Sequence, residues 1–263
     1  MSKITQNWVL AALQEADSER SKLTERERDI FGLSSRRLKH FINNVNAAGE
    51  HNYLEIGTYK GATLIAAMRG NKINAYGVDN FMYDDREANK WAPEGFIWDN
   101  MKSQLEANIN TYRLAADVLN GDKITMIEGD FRDVDWTGKP KFDVCFFDVS
   151  PVNREVYEAF FEKVLPTLAQ ESVVIFSQQS NSMHAKQLNE AMLMHQDKFT
   201  ILWEEKRLSG ATSDASNYYS GIRIYGMKKK AVATKPAPAP AKPTSNTASK
   251  WGMNVKKISY KPH

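Results

Sequence analysis

The hydrophobic positions of this chain change their period along its length. In the middle, short apolar runs alternate with segments of helical spacing. The first run ends at Ile56. The others are Ile73 to Asp79, Lys123 to Glu128, Phe142 to Asp148, Ser172 to Ser177, Phe199 to Lys206 and Tyr219 to Met227. Short apolar runs bounded by turn residues predict buried strands. Between them Ala62 to Arg69, Asp99 to Leu119, Asn153 to Leu168 and Met183 to His195 predict helices. Strand–helix alternation predicts an α/β fold with a mostly parallel sheet and right-handed crossovers. The last two strands are separated only by a loop, Leu208 to Asn217, and so are predicted to pair antiparallel.

Residues 1–50 read as a helical extension before the sheet. Trp8, Leu10, Leu13, Leu23, Ile30 and Phe31 are apolar points among many charges, and Thr24-Glu25-Arg26-Glu27 has capping-box form. Leu38, Phe41, Ile42 and Val45 share one helix face, and Gly49 suits its stop. Residues 51–227 form the predicted α/β domain. From residue 228 to 263 the composition shifts to Ala, Pro, Lys, Thr and Ser, with Pro236, Pro238, Pro240 and Pro243. Such a stretch cannot bury a core and predicts a disordered basic tail. Its end, from Trp251 to Tyr260, regains apolar residues and reads either as a docking segment for a protein partner or as a solvated terminus.

The stretch from Tyr53 to Ala62, Tyr-Leu-Glu-Ile-Gly-Thr-Tyr-Lys-Gly-Ala, carries the clearest chemistry. A strand that breaks at glycine and opens a helix sets backbone N–H groups at the strand's carboxyl edge, where open α/β sheets bind nucleotide-like ligands. Glu55 is the odd residue there. A buried carboxylate is costly unless something bonds it, and a cationic or hydroxyl-bearing ligand would do so. The spacing is not the Gly-x-Gly-x-x-Gly of a dinucleotide fold. Glu55-x-Gly57-x-x-x-Gly61, with Thr58, Tyr59 and Lys60 between the glycines, resembles the first motif of class I S-adenosylmethionine-dependent methyltransferases. It is similar to the small-molecule O-methyltransferases of the catechol and caffeoyl-CoA type, and to TylF-like proteins with the same Leu-Glu-Ile-Gly start. The segment Gly32-Leu-Ser-Ser-Arg-Arg-Leu38, followed by Asn43 and Asn44, also resembles the helix before the sheet in that last group. In related enzymes such helices help close the substrate site; the alternative is that they only cover the sheet.

The resemblance covers roughly residues 33–227 and implies a Rossmann-like sheet of seven strands, with the seventh antiparallel between the fifth and sixth. It implies S-adenosylmethionine as cofactor, held by Glu55, Gly57, Thr58, Tyr59 and Gly61. Asp79 ends the second strand 22 residues after Gly57, where a carboxylate can accept both ribose hydroxyls. Asn80 follows it. Asp130 and Phe131 match the family's acidic residue for the adenine amino group and its apolar neighbour. Asp148, ending strand four, lies where the reacting atom would sit. Each carboxylate has a purely structural alternative: Asp79 as a turn cap, Asp130 in an Asx turn, Asp148 as a helix cap.

Methyl transfer to a hydroxyl of a small molecule or sugar needs in-line positioning and removal of a proton. Asp148 is the candidate base or substrate anchor. Catechol-type relatives place a divalent metal on an aspartate at this position and an Asp-Asn pair after strand five. Here the second site reads Ser177-Gln178-Gln179-Ser180-Asn181, and neutral amides alone make a poor cage for a hard cation, so no metal is expected. The histidine of the TylF-like Asp-Gly-x-His is replaced in Asp148-Val-Ser-Pro151. His184 either reaches the same cleft or is a surface residue. The aromatic-rich segment from Phe81 to Trp98 reads as a lid or acceptor pocket, or as a loop packed on the next helix.

Composition narrows the picture. The profile, 42% hydrophobic and 25% charged, is that of a soluble globular protein, without an apolar run approaching the roughly 18 residues of a membrane span. The first residues lack the basic and apolar halves of a signal peptide. The single cysteine, Cys145, lies in an apolar strand, where it reads as core packing, and its solitude fits a reducing compartment, the cytoplasm. The tail from Lys228 carries nine lysines and no acid, which leaves residues 1–227 at −6 within a chain of +3. An acidic folded part disfavours specific nucleic-acid binding. The DNA-methylating Pro-Pro-aromatic motif and a Pro-Cys nucleophile are also missing. Two readings remain from the residues: a small-molecule methyltransferase, or the same fold without transfer chemistry, attached to a larger assembly by its tail.

Overall fold

The computed structural model describes residues 4–82, 100–113, 124–150, 152–179, 181–205, 218 and 221–228. The lid segment from 83 onward, most of the loop before the last strand and the tail lie outside the described residues. In chain order the elements are α1 (Gln6–Asp17), α2 (Glu25–Arg28), α3 (Arg36–Val45), β1 (His51–Ile56), α4 (Ala62–Met68), β2 (Ile73–Asp79), α5 (Met101–Arg113), β3 (Ile124–Glu128), β4 (Phe142–Phe147), α6 (Arg154–Ala159), β5 (Leu168–Phe176), α7 (Ser182–Met192), β6 (Phe199–Glu205) and β7 (Ile222–Met227).

The seven strands form one sheet in the order β3-β2-β1-β4-β5-β7-β6. Pairs from β3 to β5 are parallel, while β7 runs antiparallel to both β5 and β6. The antiparallel last strands are as expected from the residues, and the insertion of β7 between β5 and β6 is as the resemblance implies. Because the central strands β1, β4 and β5 are covered on both faces, their residues serve two cores by alternation. Tyr53, Val144, Phe146, Val173 and Ile175 join α1, α3, α4 and α5 on one face. Leu54, Ile56, Cys145, Phe147, Val174 and Phe176 join α6 and α7 on the other. Cys145 is fully buried, as packing predicts.

Local signals explain the helix starts. Ser35 caps α3 by accepting from Leu38 N–H at 3.1 Å, and Asn153 caps α6 by accepting from Val156 N–H at 3.0 Å. The capping box at Thr24 forms, with Glu27 accepting from Thr24 N–H at 2.7 Å. The expected helix Asn153 to Leu168 departs from one regular helix. After Ala159 the turns widen to π-type over Phe160–Val164 and tighten to 3-10 over Leu165–Thr167. Pro166, which cannot continue the helical hydrogen bonding, stands in that last turn. Leu168 therefore already pairs with Phe142, and β5 begins four residues before the expected Ser172. At the other end β7 starts at Ile222, because Gly221, at φ +75°, closes a turn back to the Tyr218 carbonyl at 2.7 Å.

Candidate active site

At the carboxyl edge of the sheet the strand hydrogen bonding continues one step into the loops. Gly57 N–H donates to Val78 O at 2.9 Å, Asp148 N–H to Ile56 O at 2.9 Å, Gly129 N–H to Asp79 O at 2.9 Å and Ser177 N–H to Phe147 O at 3.1 Å. Residues from β1, β2, β3, β4 and β5 are thereby held at one level.

The glycine turn is built against this edge. Gly57 has φ +89°, and a Cβ there would lie 2.0 Å from the Asp148 carbonyl oxygen. Only glycine fits, on both conformational and steric grounds. Gly61, at φ +82°, would drive a Cβ to 2.4 Å from Leu105 on α5. Between them Tyr59 takes φ +49°, and its N–H donates to Asp79 Oδ2 at 2.7 Å. The other oxygen of Asp79 accepts from Phe81 N–H at 2.7 Å. Asp79 thus ties the turn after β1 to the turn after β2. Its turn-capping role is real, and its half-buried carboxylate keeps lone pairs beyond those two bonds. Asn80 is exposed and accepts from Met82 N–H at 3.0 Å.

Glu55 lies below this level and is fully buried. The structure supplies its partners from within: Tyr53 Oη–H donates at 2.6 Å and Thr63 Oγ1–H at 2.8 Å. The expectation of a ligand as the partner of Glu55 is answered by α4 and by the strand itself. Burial still dominates and pushes the Glu55 carboxyl up to about 8, with Asp148 and Asp79 adding repulsion. Tyr53 was legible as a partner, two residues before on the same strand face; Thr63 needed the fold.

Asp148 is half-buried, and its Oδ1 accepts from Ser177 Oγ–H and from Gln178 Nε2 at 3.1 Å. Gln178, held at φ +59°, also reaches Val149 O at 2.9 Å. Burial raises the Asp148 carboxyl, the two donors oppose this, and Asp79 adds to the rise. The helix-cap alternative falls away, since Asn153 caps α6. Ser177 and Gln178, read in sequence only against a metal site, are donors that orient the candidate base. His184 is half-buried on α7, and burial lowers its pKa.

Asp130 follows Gly129 on the same edge, but its carboxylate is engaged. Arg132 donates from its backbone at 2.9 Å and from Nε at 2.8 Å to Oδ1, and from Nη2 at 2.5 Å to Oδ2. The Asx-turn alternative is thus observed, and Arg132 holds the carboxyl below its ordinary range. Phe131 is buried and meets Phe147 edge-on at 5.5 Å. Of the expected residues, Gly57, Thr58, Tyr59, Asp79 and Asp148 converge directly. Glu55 lies beneath them, Gly61 closes the turn, and Asp130, Phe131 and Asn80 occupy the flank.

Comparison with known proteins places the fold. A family model for a methyltransferase domain matches residues 54–177, the span from β1 to Ser177. The sheet has the Rossmann-like methyltransferase fold. An O-methyltransferase from Bacillus cereus in complex with SAH superposes with a TM-score of 0.51 at 16% identity, covering 84% of this chain and 91% of that one. SAH-bound Podospora anserina methyltransferase gives 0.50 at 13% identity, covering 85% and 88%. At such identities the likeness is one of fold. The chain spans about half of a Streptococcus mutans structure, 48% of its length at 17% identity and a TM-score of 0.49, covering 73% of this chain. A search of curated protein sequences gives no significant match. Among the described residues of this methyltransferase fold, no helix is long and apolar enough to cross a membrane.

Proposed function

We propose that the chain is an S-adenosylmethionine-dependent methyltransferase whose acceptor is a hydroxyl of a small molecule or sugar. The observation that carries this reading is the geometry of the strand edge, where the Gly57 turn lies against the Asp148 carbonyl and Asp79 holds the Tyr59 N–H. Asp79 and Asp148 each raise the Glu55 carboxyl, and Asp79 raises Asp148, so three carboxyls from three strands feel one another. With Glu55 neutral beneath them, Asp79 and Asp148 are the members of that group complementary to a cation and to hydroxyl donors. The cofactor fits this donor set: Gly57 and Gly61 let backbone approach closely, and Asp79 keeps acceptor capacity for a ribose. The SAH named with two of the similar structures supports the same ligand class. When bound, the cofactor supplies a methyl group on a good leaving group.

The chain's own work is positioning and proton removal. Ser177 and Gln178 hold one oxygen of Asp148, leaving the other to accept a proton from an acceptor hydroxyl or to anchor it. A carboxyl raised by burial is a better base for that proton than an exposed one. Asp130 and Phe131 would bound the adenine end, with Asp130 exchanging part of its Arg132 pairing for the amino group. Calorimetry of the full chain with S-adenosylmethionine and S-adenosylhomocysteine tests the binding half, and saturable binding of both is expected. Absence of binding to either removes the proposal. A methyl-transfer assay over small phenols and sugars then separates an enzyme from a protein that only binds.

A further inference from the structure

A hollow beside the glycine turn has no part in the reading above. It has a volume of about 510 Å³ and is lined by α2, the segment after it, Lys60 and α5. That volume is in the range of small-molecule sites. Gln104, Asn108 and Tyr112, spaced four apart, present one face of α5 to it.

Its charge is lopsided. Arg26 lies with its guanidinium 5.3 Å from the Tyr112 ring centre, and Lys60 Nζ lies 4.9 Å from that of Phe31 and 5.2 Å from that of Tyr59. The one carboxylate in the lining, Asp29, is held by Arg36 at 2.5 Å. Phe31 is 53% exposed.

The walls are fixed before any ligand arrives. Lys39, almost fully buried, donates to the Arg28 carbonyl at 2.7 Å and the Ile30 carbonyl at 2.6 Å, which pins the segment carrying Asp29 and Ile30. Asn108 Nδ2 donates to the Lys60 carbonyl at 2.9 Å, which pins the turn. Sites made in advance spend less of their binding energy on ordering. Two cations, amides and an exposed ring in one fixed hollow match one ligand chemistry.

We propose that this cavity binds a small organic anion, a carboxylate or phosphate monoester carried on an apolar ring. The charged group meets Arg26, Lys60 and the Gln104 amide, and the ring lies against Phe31.

The test is a titration of the full chain with phenyl phosphate, benzoate, inorganic phosphate and benzyl alcohol, read by calorimetry. One ring-borne anion at least is expected to saturate, with benzyl alcohol at least roughly tenfold weaker. The order of phenyl phosphate and benzoate tells phosphate from carboxylate. Arg26→Gln, at an exposed position, should weaken the better anion roughly tenfold. Phe31→Ala should weaken the ring-borne anion and leave inorganic phosphate unchanged. Failure of both anions to saturate, equal binding of benzyl alcohol, or an unaltered Arg26→Gln affinity would each overturn the proposal. S-adenosylhomocysteine titrated into the same samples keeps the two readings apart. Loss there alone removes the methyl-transfer reading, and loss of the anion alone removes this one.

Discussion

The two faces of the sheet are held by different physics. On the α6–α7 face the core is aromatic. Phe147, Phe160 and Phe176 meet edge-on at 5.0 to 5.7 Å, and Tyr157, Phe161, Phe199 and Tyr225 extend the cluster. On the α3–α4 face the core is mostly aliphatic and is laced with buried polar groups. Asn43 donates to the Ala66 and Arg69 carbonyls at 2.8 Å each and accepts from Lys22 N–H at 3.0 Å. Asn71 donates to the Asn43 and Ala67 carbonyls, both at 2.8 Å. Area burial is non-directional, so the aromatic face tolerates shifts of a helix. Directed bonds to α4 carbonyls do not, and α4 is the helix that the glycine turn opens. The rigid face is therefore the one that carries Glu55, Thr63 and the turn.

The comparison breaks most visibly on substitution. Phe160→Ala, at a fully buried ring, should cost about 3–5 kcal/mol in chemical denaturation. Phe160→Leu should cost only about 1 kcal/mol, because apolar shape changes are absorbed. Asn43→Leu preserves volume in the same way but strands two carbonyls and an N–H, and should cost about 2–4 kcal/mol. A mild Asn43→Leu, or a Phe160→Leu as severe as it, would show that the two faces do not differ as argued.

Much of this was legible beforehand, for reasons tied to particular residues. Strand–helix alternation gave the sheet, and the loop before β7 gave its direction. Gly57 announced the turn because no other residue fits against Asp148. What escaped was pairing at a distance. Nothing in Asn43 shows that it reaches Ala66 and Arg69, or in Gln178 that it bends back to Asp148. Asp130 shows the limit from the other side: motif and Asx turn use the same residue, and only coordinates show Arg132 on it. Pro166 was a readable helix stop whose effect on the start of β5 was missed.

A smaller and more local effect sharpens the comparison at the site. Asp79→Ala removes the acceptor for Tyr59 and Phe81 N–H and the carboxylate proposed for the ribose. Charge-assisted hydrogen bonds of about 1.5–3 kcal/mol correspond to roughly a 10- to 150-fold loss in S-adenosylmethionine affinity. Calorimetry with unchanged affinity would reject the ribose role. Asn43→Leu should weaken the same affinity less, since it acts only through the placement of α4.

The most local effect concerns the proton on Glu55. Its carboxyl is raised to about 8 in the fold, against 4.5 for the free group. The folded chain then keeps a proton that the unfolded chain releases, so stability falls as pH rises between these values. The slope from one such group is about 1.4 kcal/mol per pH unit. Below the lower value both states hold the proton; above the higher one neither does, and the destabilisation is complete. Glu55→Gln mimics the neutral acid, and either Tyr53 or Thr63 can turn its hydroxyl to accept from the amide. Denaturation series between about pH 5.5 and 7.5 should show wild type losing stability more steeply than Glu55→Gln, by about 1 kcal/mol per pH unit. Parallel slopes would mean that Glu55 is already ionised when folded. The polar face would then carry a buried charge beneath the turn, able to attract a cationic ligand directly, where the structure makes it a neutral strut between β1 and α4.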